Sequence, residues 1–448
     1  MLKNKKETTM KELYSKIILL LVDTMAIILS IAIGYQLRTI FDSSFVSTFS
    51  HSLSTYINFP LLYIVILFML AYEGIYNKRY DFWLESRQII KALTLSFTLI
   101  LAFLALSKNI DTYSRATIVF IFITLLFILP LFKLFTKKIL YKIGLWQRKA
   151  CVYSNDGFVT KEIFDNHYLG YVQSDKDQAE TVFVNSKGSD ANTLHKIIDE
   201  KIRKINEVIF IPLISEYDLT QSTIYQLSNT RTNLIVYKNR LKSKYREIVH
   251  ITFNYLLAIA LLPLLLPIIG IISFLIKRES PGPVFFAHMR VGKHGKLIPT
   301  LKFRSMYRDA GERLEKLLAT DPEIKNEWEK NFKLKDDPRV TKIGSIMRKT
   351  SLDELPQIFN VLKGEMNFVG PRPVIQKEID QYYKEDAEYY FMVKPGITGL
   401  WQVSGRSDTD YDFRVATDKW YVSNWSLWLD VVILLKTVKT VLKRDGAY

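Results

Sequence analysis

The chain has 448 residues, 61 of them Lys or Arg and 45 Asp or Glu, so a formal net charge of +16 sits on a sequence that is 48% hydrophobic and 13% aromatic. That apolar content excludes a disordered chain, and a lone cysteine, Cys151, excludes a disulfide-stapled secreted protein. No Cys/His cluster has zinc or iron–sulfur spacing, and the length suggests about three domains.

Four apolar runs, 17–37, 57–76, 89–106 and 116–132, fill the first third. Each approaches the roughly 20 residues that cross a bilayer core, and the stretch 61–70 has no polar face of the kind a soluble bundle would show. The first run is too long for a signal peptide and no small-residue cleavage site follows it. Lys and Arg crowd before the first run, between the second and third, and after the fourth from Lys133 to Lys149, while the alternate loops hold only Arg38 in one and Lys108 and Arg115 in the other. The positive-inside rule therefore predicts a four-helix transmembrane domain over 1–145 with both ends in the cytoplasm. Asp23 and Glu73 are the acidic residues at membrane depth. Each reads either as a functional carboxylate or as a structural one, paired between helices or solvated at the interface.

From 146 to 240 the chain turns soluble, with short β-rich runs at 150–153, 181–184, 207–211 and 234–237 and a helical pattern over 192–205. This predicts a small α/β domain with a mostly parallel sheet, Rossmann-like but degenerate. A dinucleotide would need a glycine-rich turn after the first strand, whereas Ser154-Asn155-Asp156-Gly157-Phe158 holds one glycine. A scaffolding or regulatory role fits better.

The uncharged run 251–276 could span a bilayer, yet basic residues flank both sides: Lys238 to Arg246 before it, Lys277 to Lys296 after it. Pro263 and Pro267 sit at its centre, where each removes a helical hydrogen bond. A helix that enters, bends at the prolines and returns accounts for both observations. A spanning helix with a proline kink is the competing reading.

Dense blocks follow: Ser280-Pro-Gly-Pro, Lys302-Phe-Arg-Ser-Met, Asp337-Pro-Arg, Arg348-Lys-Thr-Ser-Leu-Asp-Glu-Leu-Pro-Gln, Gly370-Pro-Arg-Pro and Lys394-Pro-Gly-Ile-Thr-Gly. Lys302, Arg304, Arg339, Arg348, Arg372 and Arg406 stud them. Fixed cations on positioned loops suit a diphosphate, since Arg grips phosphate oxygens bidentately. Singly, each is equally a solvated charge. The adjacent Asp353 and Glu354 precede an amphipathic run, Leu355, Ile358, Phe359, Leu362. Neighbours on a helix diverge by about 100°, so one carboxylate can attack phosphorus while the other holds a metal. A capping box, Ser351-x-x-Glu354, reads equally well from spacing alone.

Residues 302–306, 348–357, 370–373 and 399–406 resemble, nearly letter for letter, the bacterial sugar transferase family, polyprenyl-phosphate hexose-1-phosphate transferases that begin surface polysaccharide assembly. The likeness covers about 244–448, and the helices and α/β domain before it look like the large multi-domain branch. Arg444-Asp-Gly-Ala-Tyr448 resembles the ending of its galactose-specific members.

The resemblance implies an α-helical membrane protein whose catalytic domain, 241–448, is anchored by a re-entrant helix at 251–276. It implies that Asp353 is the nucleophile, that Glu354 binds Mg²⁺ and that Lys302, Arg304, Arg348 and Arg372 bind substrate phosphates; Arg406 joins the expected substrate-binding set, and the break in the membrane helix is expected at Pro263 and Pro267. UDP-sugar, undecaprenyl phosphate and membrane lipid are the implied partners, in the bacterial inner membrane with a cytoplasm-facing site and a homodimeric assembly. Two residues depart from the pattern: Asn254 stands where relatives often carry Asp, and His288 where they usually have Gln. Trp420, Tyr421, Trp425 and Trp428 lead into the apolar stretch 427–442, either an interfacial helix with snorkelling lysines or an edge helix packed on the domain. Nucleic acid would explain the charge but not the membrane runs, and no binding motif for it appears.

Overall fold

The computed structural model describes residues 2–41, 52–107, 113–153, 157–176, 178–186, 194, 197, 200–201, 205, 207–211, 223–226, 233–236, 244–320, 334, 337–404 and 410–443. They form two compact units, Met1–Leu219 and Thr220–Tyr448.

The first unit begins with helices α1 (Leu2–Ile40), α2 (Leu53–Ile57), α3 (Pro60–Tyr72), α4 (Phe82–Leu106) and α5 (Arg115–Lys142). Asp81 caps α4 by accepting from the Trp83 and Leu84 amides, and Ser114 caps α5 through the Thr117 amide. α1, α4 and α5 are long and apolar enough to cross a membrane. The second apolar run does not form one helix as expected. Pro60, which cannot donate a backbone hydrogen bond, restarts the helix after Asn58 and Phe59. α3 therefore has 13 residues, about 20 Å against a bilayer core of about 30 Å. Gly34 lets α1 touch α5 directly: a Cβ there would lie 2.7 Å from the Ile121 nitrogen.

Asp23 is paired between helices. Its carboxylate lies 2.7 Å from Lys133 Nζ, with both side chains fully buried, and accepts from the Tyr76 hydroxyl at 2.7 Å. Lys137 pairs in the same way with Glu85. Lys133 and Lys137 thus belong to the interior of α5 rather than to the basic loop after it. Glu73 pairs with Lys91 at 2.8 Å.

Next come β1 (Arg148–Tyr153), α6 (Gly157–Asp165), β2 (Tyr171–Gln173), β3 (Thr181–Asn185) and β4 (Glu207–Ile211), forming a parallel sheet in the order β2-β1-β3-β4. β3, central and buried at every residue, reads as a continuous apolar run for that reason. The expectation differs from this sheet at two places. The three-residue β2 is not among the expected strands, and residues 234–236 lie in an antiparallel ribbon of β5 (Thr223–Gln226) and β6 (Asn233–Val236), residue 237 of the expected run being outside the described residues. Residues 154–156 of the glycine-poor turn and most of the expected helix 192–205 lie outside the described residues.

The second unit is organised on α7 (Lys244–Glu279), which is long and apolar enough to cross a membrane and continuous through Pro263 and Pro267, so the expected break at the prolines is not an interruption of the helix: each proline removes one backbone donor and the turns around it persist. The hairpin β7 (Phe285–Val291) and β8 (Leu297–Phe303) follows, then α8 (Lys342–Thr350), α9 (Gln357–Leu362), the parallel pair β9 (Asn367–Val369) and β10 (Gly396–Thr398), α10 (Tyr411–Ser423) and α11 (Leu427–Lys443). Ala258, Ile269 and Ile276 of α7 share one core with Phe303, Met347, Ile358 and Ile433. Tyr421 and Trp425 belong to that core, both donating to buried Asp430 at 2.8 and 3.0 Å. The tail is therefore packed on the domain along one face, while Leu435 and Val438 of α11 stay exposed.

Candidate active site

α8 starts at the Thr341 cap and lies on the backbone of Ser305, where a Cβ at Gly344 would stand 2.0 Å from the Ser305 carbonyl oxygen. This contact brings Arg348 Nε to 3.0 Å from Ser305 Oγ. α8 ends at Ser351 in the left-handed region, φ 55°, and the chain turns through a single 3₁₀ turn, Leu352–Glu354, into α9. The Ser351 side chain makes no capping bond. Hence the capping box does not form, and both carboxylates are released toward β8.

Lys302 on β8 receives them. Its Nζ lies 2.7 Å from Glu354 Oε1 and 3.5 Å from Asp353 Oδ2, and Arg372 reaches to 3.7 Å from the same Glu354 oxygen. Asp353 is largely buried, its side chain 15% exposed. Burial raises its carboxyl above the ordinary range and the charge of Glu354 pushes the same way, against opposing pulls from Lys302 and Arg348.

Arg372 is positioned by glycines. A Cβ at Gly396 would meet the Gly370 nitrogen at 2.1 Å, and one at Gly399 the Gly370 oxygen at 2.3 Å. The three glycines pack backbone to backbone at the ends of β9 and β10, and Arg372 leaves that junction facing Glu354.

The site thus assembles Asp353, Glu354, Lys302, Arg348 and Arg372. Arg304 is directed elsewhere: its guanidinium donates to the Ser280 and Pro281 carbonyls, in the space that a side chain at Gly282 would fill. Arg339 is held in a bidentate pair with Asp337. Arg406 and the ending 444–448 lie outside the described residues. Asn254 keeps an anchoring bond despite its departure from the family pattern, its Oδ1 accepting from the Phe368 amide at 2.7 Å. His288 pairs in register with Thr300, and burial, then Arg290 and Lys302, hold its imidazole below the ordinary range.

Beside Glu354 a cleft opens that Thr300, Lys302, Gln357, Arg372, Pro373 and Ile397 help to line. Thr300 and Gln357 were not singled out from sequence. Periodicity was the available signal, since Thr300 precedes Lys302 by two residues on a strand and Gln357 follows Glu354 by three along a helical path.

The donor set suits Mg²⁺. No group of three Asp, Glu, His or Cys gathers among the described residues, but Mg²⁺ is commonly held by one or two carboxylates together with substrate phosphates. Asp353 and Glu354 are hard oxygen donors of that kind.

An apolar helix long enough to cross a membrane and two carboxylates facing fixed cations are an arrangement suited to phosphate chemistry at a membrane. Residues 245–444 match the family described as bacterial sugar transferase. The chain is 36% identical over 408 residues to an undecaprenyl-phosphate galactose phosphotransferase of Salmonella typhimurium, covering 83% of this chain and 84% of that protein. It is 35% identical over 408 residues to a UDP-galactose-lipid carrier transferase of Erwinia amylovora, with the same coverage. A UDP-glucose:undecaprenyl-phosphate glucose-1-phosphate transferase of Escherichia coli is 33% identical over 281 residues, 60% of this chain and 55% of that protein. The chain belongs to the bacterial sugar transferase family.

Proposed function

We propose that the chain transfers hexose 1-phosphate from a UDP-sugar to undecaprenyl phosphate and releases UMP, galactose being the hexose that the two long-matching relatives name. The observation that carries this reading is the placement of Asp353 and Glu354 against Lys302 and Arg372. A buried carboxylate among cations is poised for a diphosphate centre, where negative charge must be gathered and then redistributed.

In the first step an Asp353 carboxylate oxygen forms a bond to the sugar-bearing phosphorus, and the bond from that phosphorus to the UMP oxygen breaks, UMP leaving with the electron pair. In the second, a phosphate oxygen of the lipid attacks the same phosphorus and Asp353 is regenerated. Lys302, Arg348 and Arg372 neutralise phosphoryl oxygens, and Arg406 completes the proposed substrate-binding set, while Arg304, held by the Ser280 and Pro281 carbonyls, is left out of it. Glu354 would hold Mg²⁺, which when bound would add charge neutralisation on the diphosphate.

α7 is proposed as the re-entrant anchor. At one end Glu247 accepts from Lys293, and His250 lies 3.1 Å from Asp430. At the other, Glu279 accepts from the Lys342 and Ile343 amides. A straight 36-residue helix would separate its ends by about 54 Å. Crossing would strand one set of these partners on the far side. Bending at Pro263 and Pro267 keeps both in the cytoplasm and the site at headgroup level, in the inner membrane. The four-stranded parallel sheet is read as a degenerate Rossmann-like domain, and the assembly as a homodimer whose mass light scattering in detergent would give.

The test is a donor panel of UDP-galactose, UDP-glucose and UDP-N-acetylhexosamines with undecaprenyl phosphate. UMP as product supports the reading, while UDP would mean a glycosyl transfer without the phosphate. A trapped phosphosugar adduct on Asp353 separates the two-step route from direct attack by the lipid.

A further inference from the structure

The cleft beside Glu354 carries two neutral polar groups that phosphoryl transfer does not use. Thr300 is 3% exposed and Gln357 2%. Both line the cleft with Lys302, Glu354 and Arg372, and neither Thr300 Oγ1 nor Gln357 Oε1 has a hydrogen-bond partner among the described residues. The elements fix their positions. Thr300 shares a face of β8 with Lys302, and Gln357 opens α9 just after the turn that carries Asp353 and Glu354. Buried polar atoms are nearly always paired, so two unpaired ones in a single cleft mark where a ligand supplies what is missing.

The pair also specifies what that ligand presents. An amide oxygen only accepts, so it cannot face a phosphate oxygen, and Lys302 and Arg372 already address phosphates. A threonine hydroxyl both donates and accepts. One group that donates to Gln357 and accepts from Thr300 is a hydroxyl, and Pro373 and Ile397 give the same cleft an apolar wall suited to the C–H face of a sugar ring.

Resting on the UDP-sugar reading above, we propose that Thr300 and Gln357 form a subsite that reads one sugar hydroxyl of the donor, on its hexose or its ribose. A substrate lacking that hydroxyl leaves buried polar atoms unpaired, which is how a site rejects a near-isostere. The pair is then a specificity determinant, separate from the groups that move the phosphorus.

The experiment uses the full chain in detergent and two readouts, kcat/KM for UMP release and equilibrium binding of the donor. Donors are the preferred UDP-hexose, its monodeoxy analogues at each ring position, and the analogue with 2′-deoxyuridine. In the unaltered protein, one deoxygenation should cost about tenfold or more. In Thr300→Val and Gln357→Met that same deoxygenation should cost almost nothing, while Thr300→Ser, which keeps the hydroxyl, should retain the discrimination. Coupling to a hexose position assigns the hydroxyl to the hexose, and coupling to the ribose analogue assigns it to the nucleoside. Equal losses for every donor in both variants would overturn the proposal. Coupling seen in binding without any UMP release would instead sink the transferase reading and leave this subsite standing.

Discussion

Lys302 Nζ stands 2.7 Å from Glu354 Oε1 and 3.5 Å from Asp353 Oδ2, so one cation on a strand serves two carboxylates on the turn facing it. Its pull on Asp353 is downward, opposing burial and the charge of Glu354. As the proposed nucleophile, Asp353 would have to be ionised to attack. Lys302→Met should therefore raise the Asp353 carboxyl further and move the acid limb of the pH–kcat/KM profile to higher pH. An acid limb that stays in place would separate Lys302 from the ionisation of Asp353.

Asp353→Asn should abolish UMP release and the phosphosugar adduct together. The same change should not destabilise the fold at neutral pH. Because folding raises the carboxyl, the fold accommodates its charged form less well than the unfolded chain does, and ionisation withdraws stability as pH rises through the folded value. Asparagine removes that cost, so the variant's melting temperature at pH 7 should equal or exceed that of the unaltered protein, with the difference vanishing under acid. A drop of about 1 kcal/mol with turnover intact would instead describe a helix cap.

Glu354→Gln keeps the shape and removes the charge that would hold Mg²⁺. Turnover should fall on the order of a hundredfold or more, with a much weaker dependence on added Mg²⁺. Titration of the metal at saturating donor reads this directly, and an unchanged Mg²⁺ midpoint would place the metal on other groups.

Gly396→Ala should lose activity without touching any charged residue, since its Cβ would meet the Gly370 nitrogen at 2.1 Å. The strand ends must part, and Arg372 moves with them. Overpacking of this kind costs about 1–3 kcal/mol or more. A thermal melt and a donor KM together check it: normal values for both would mean the junction yields freely.

The Asp23–Lys133 pair should behave as a buried ion pair. Asp23→Asn or Lys133→Met alone should destabilise the protein by about 3–5 kcal/mol, and the double change should recover most of it. Loss of solubility on heating in detergent reads the effect. Additive losses would mean that the two charges do not depend on each other.

For topology, cysteines at Lys242 and Lys293 in a Cys151→Ser background should both react only after the inner membrane is opened. Labelling of Lys293→Cys from the periplasm would establish crossing.

Apolar runs with basic flanks are local properties of the chain, and they located the three helices of the first unit that are long and apolar enough to cross a membrane, while the candidate site residues came from the family resemblance that the dense blocks and adjacent carboxylates carry. Hydrophobic length and charge asymmetry act on each segment independently of its neighbours, so a linear reading captures them. Long-range pairing decided the rest. Ser351-x-x-Glu354 fits a capping box by spacing, yet the left-handed turn at Ser351 and the reach of Lys302 across 52 positions turn the carboxylate into the site. Arg304 has the same local signature as Arg372 but is claimed by the Ser280–Pro281 carbonyls. Asp23 and Lys133 are 110 positions apart and find each other only when α1 packs on α5. A charge's role depends on which partner arrives within about 4 Å, and only the packed chain sets that distance.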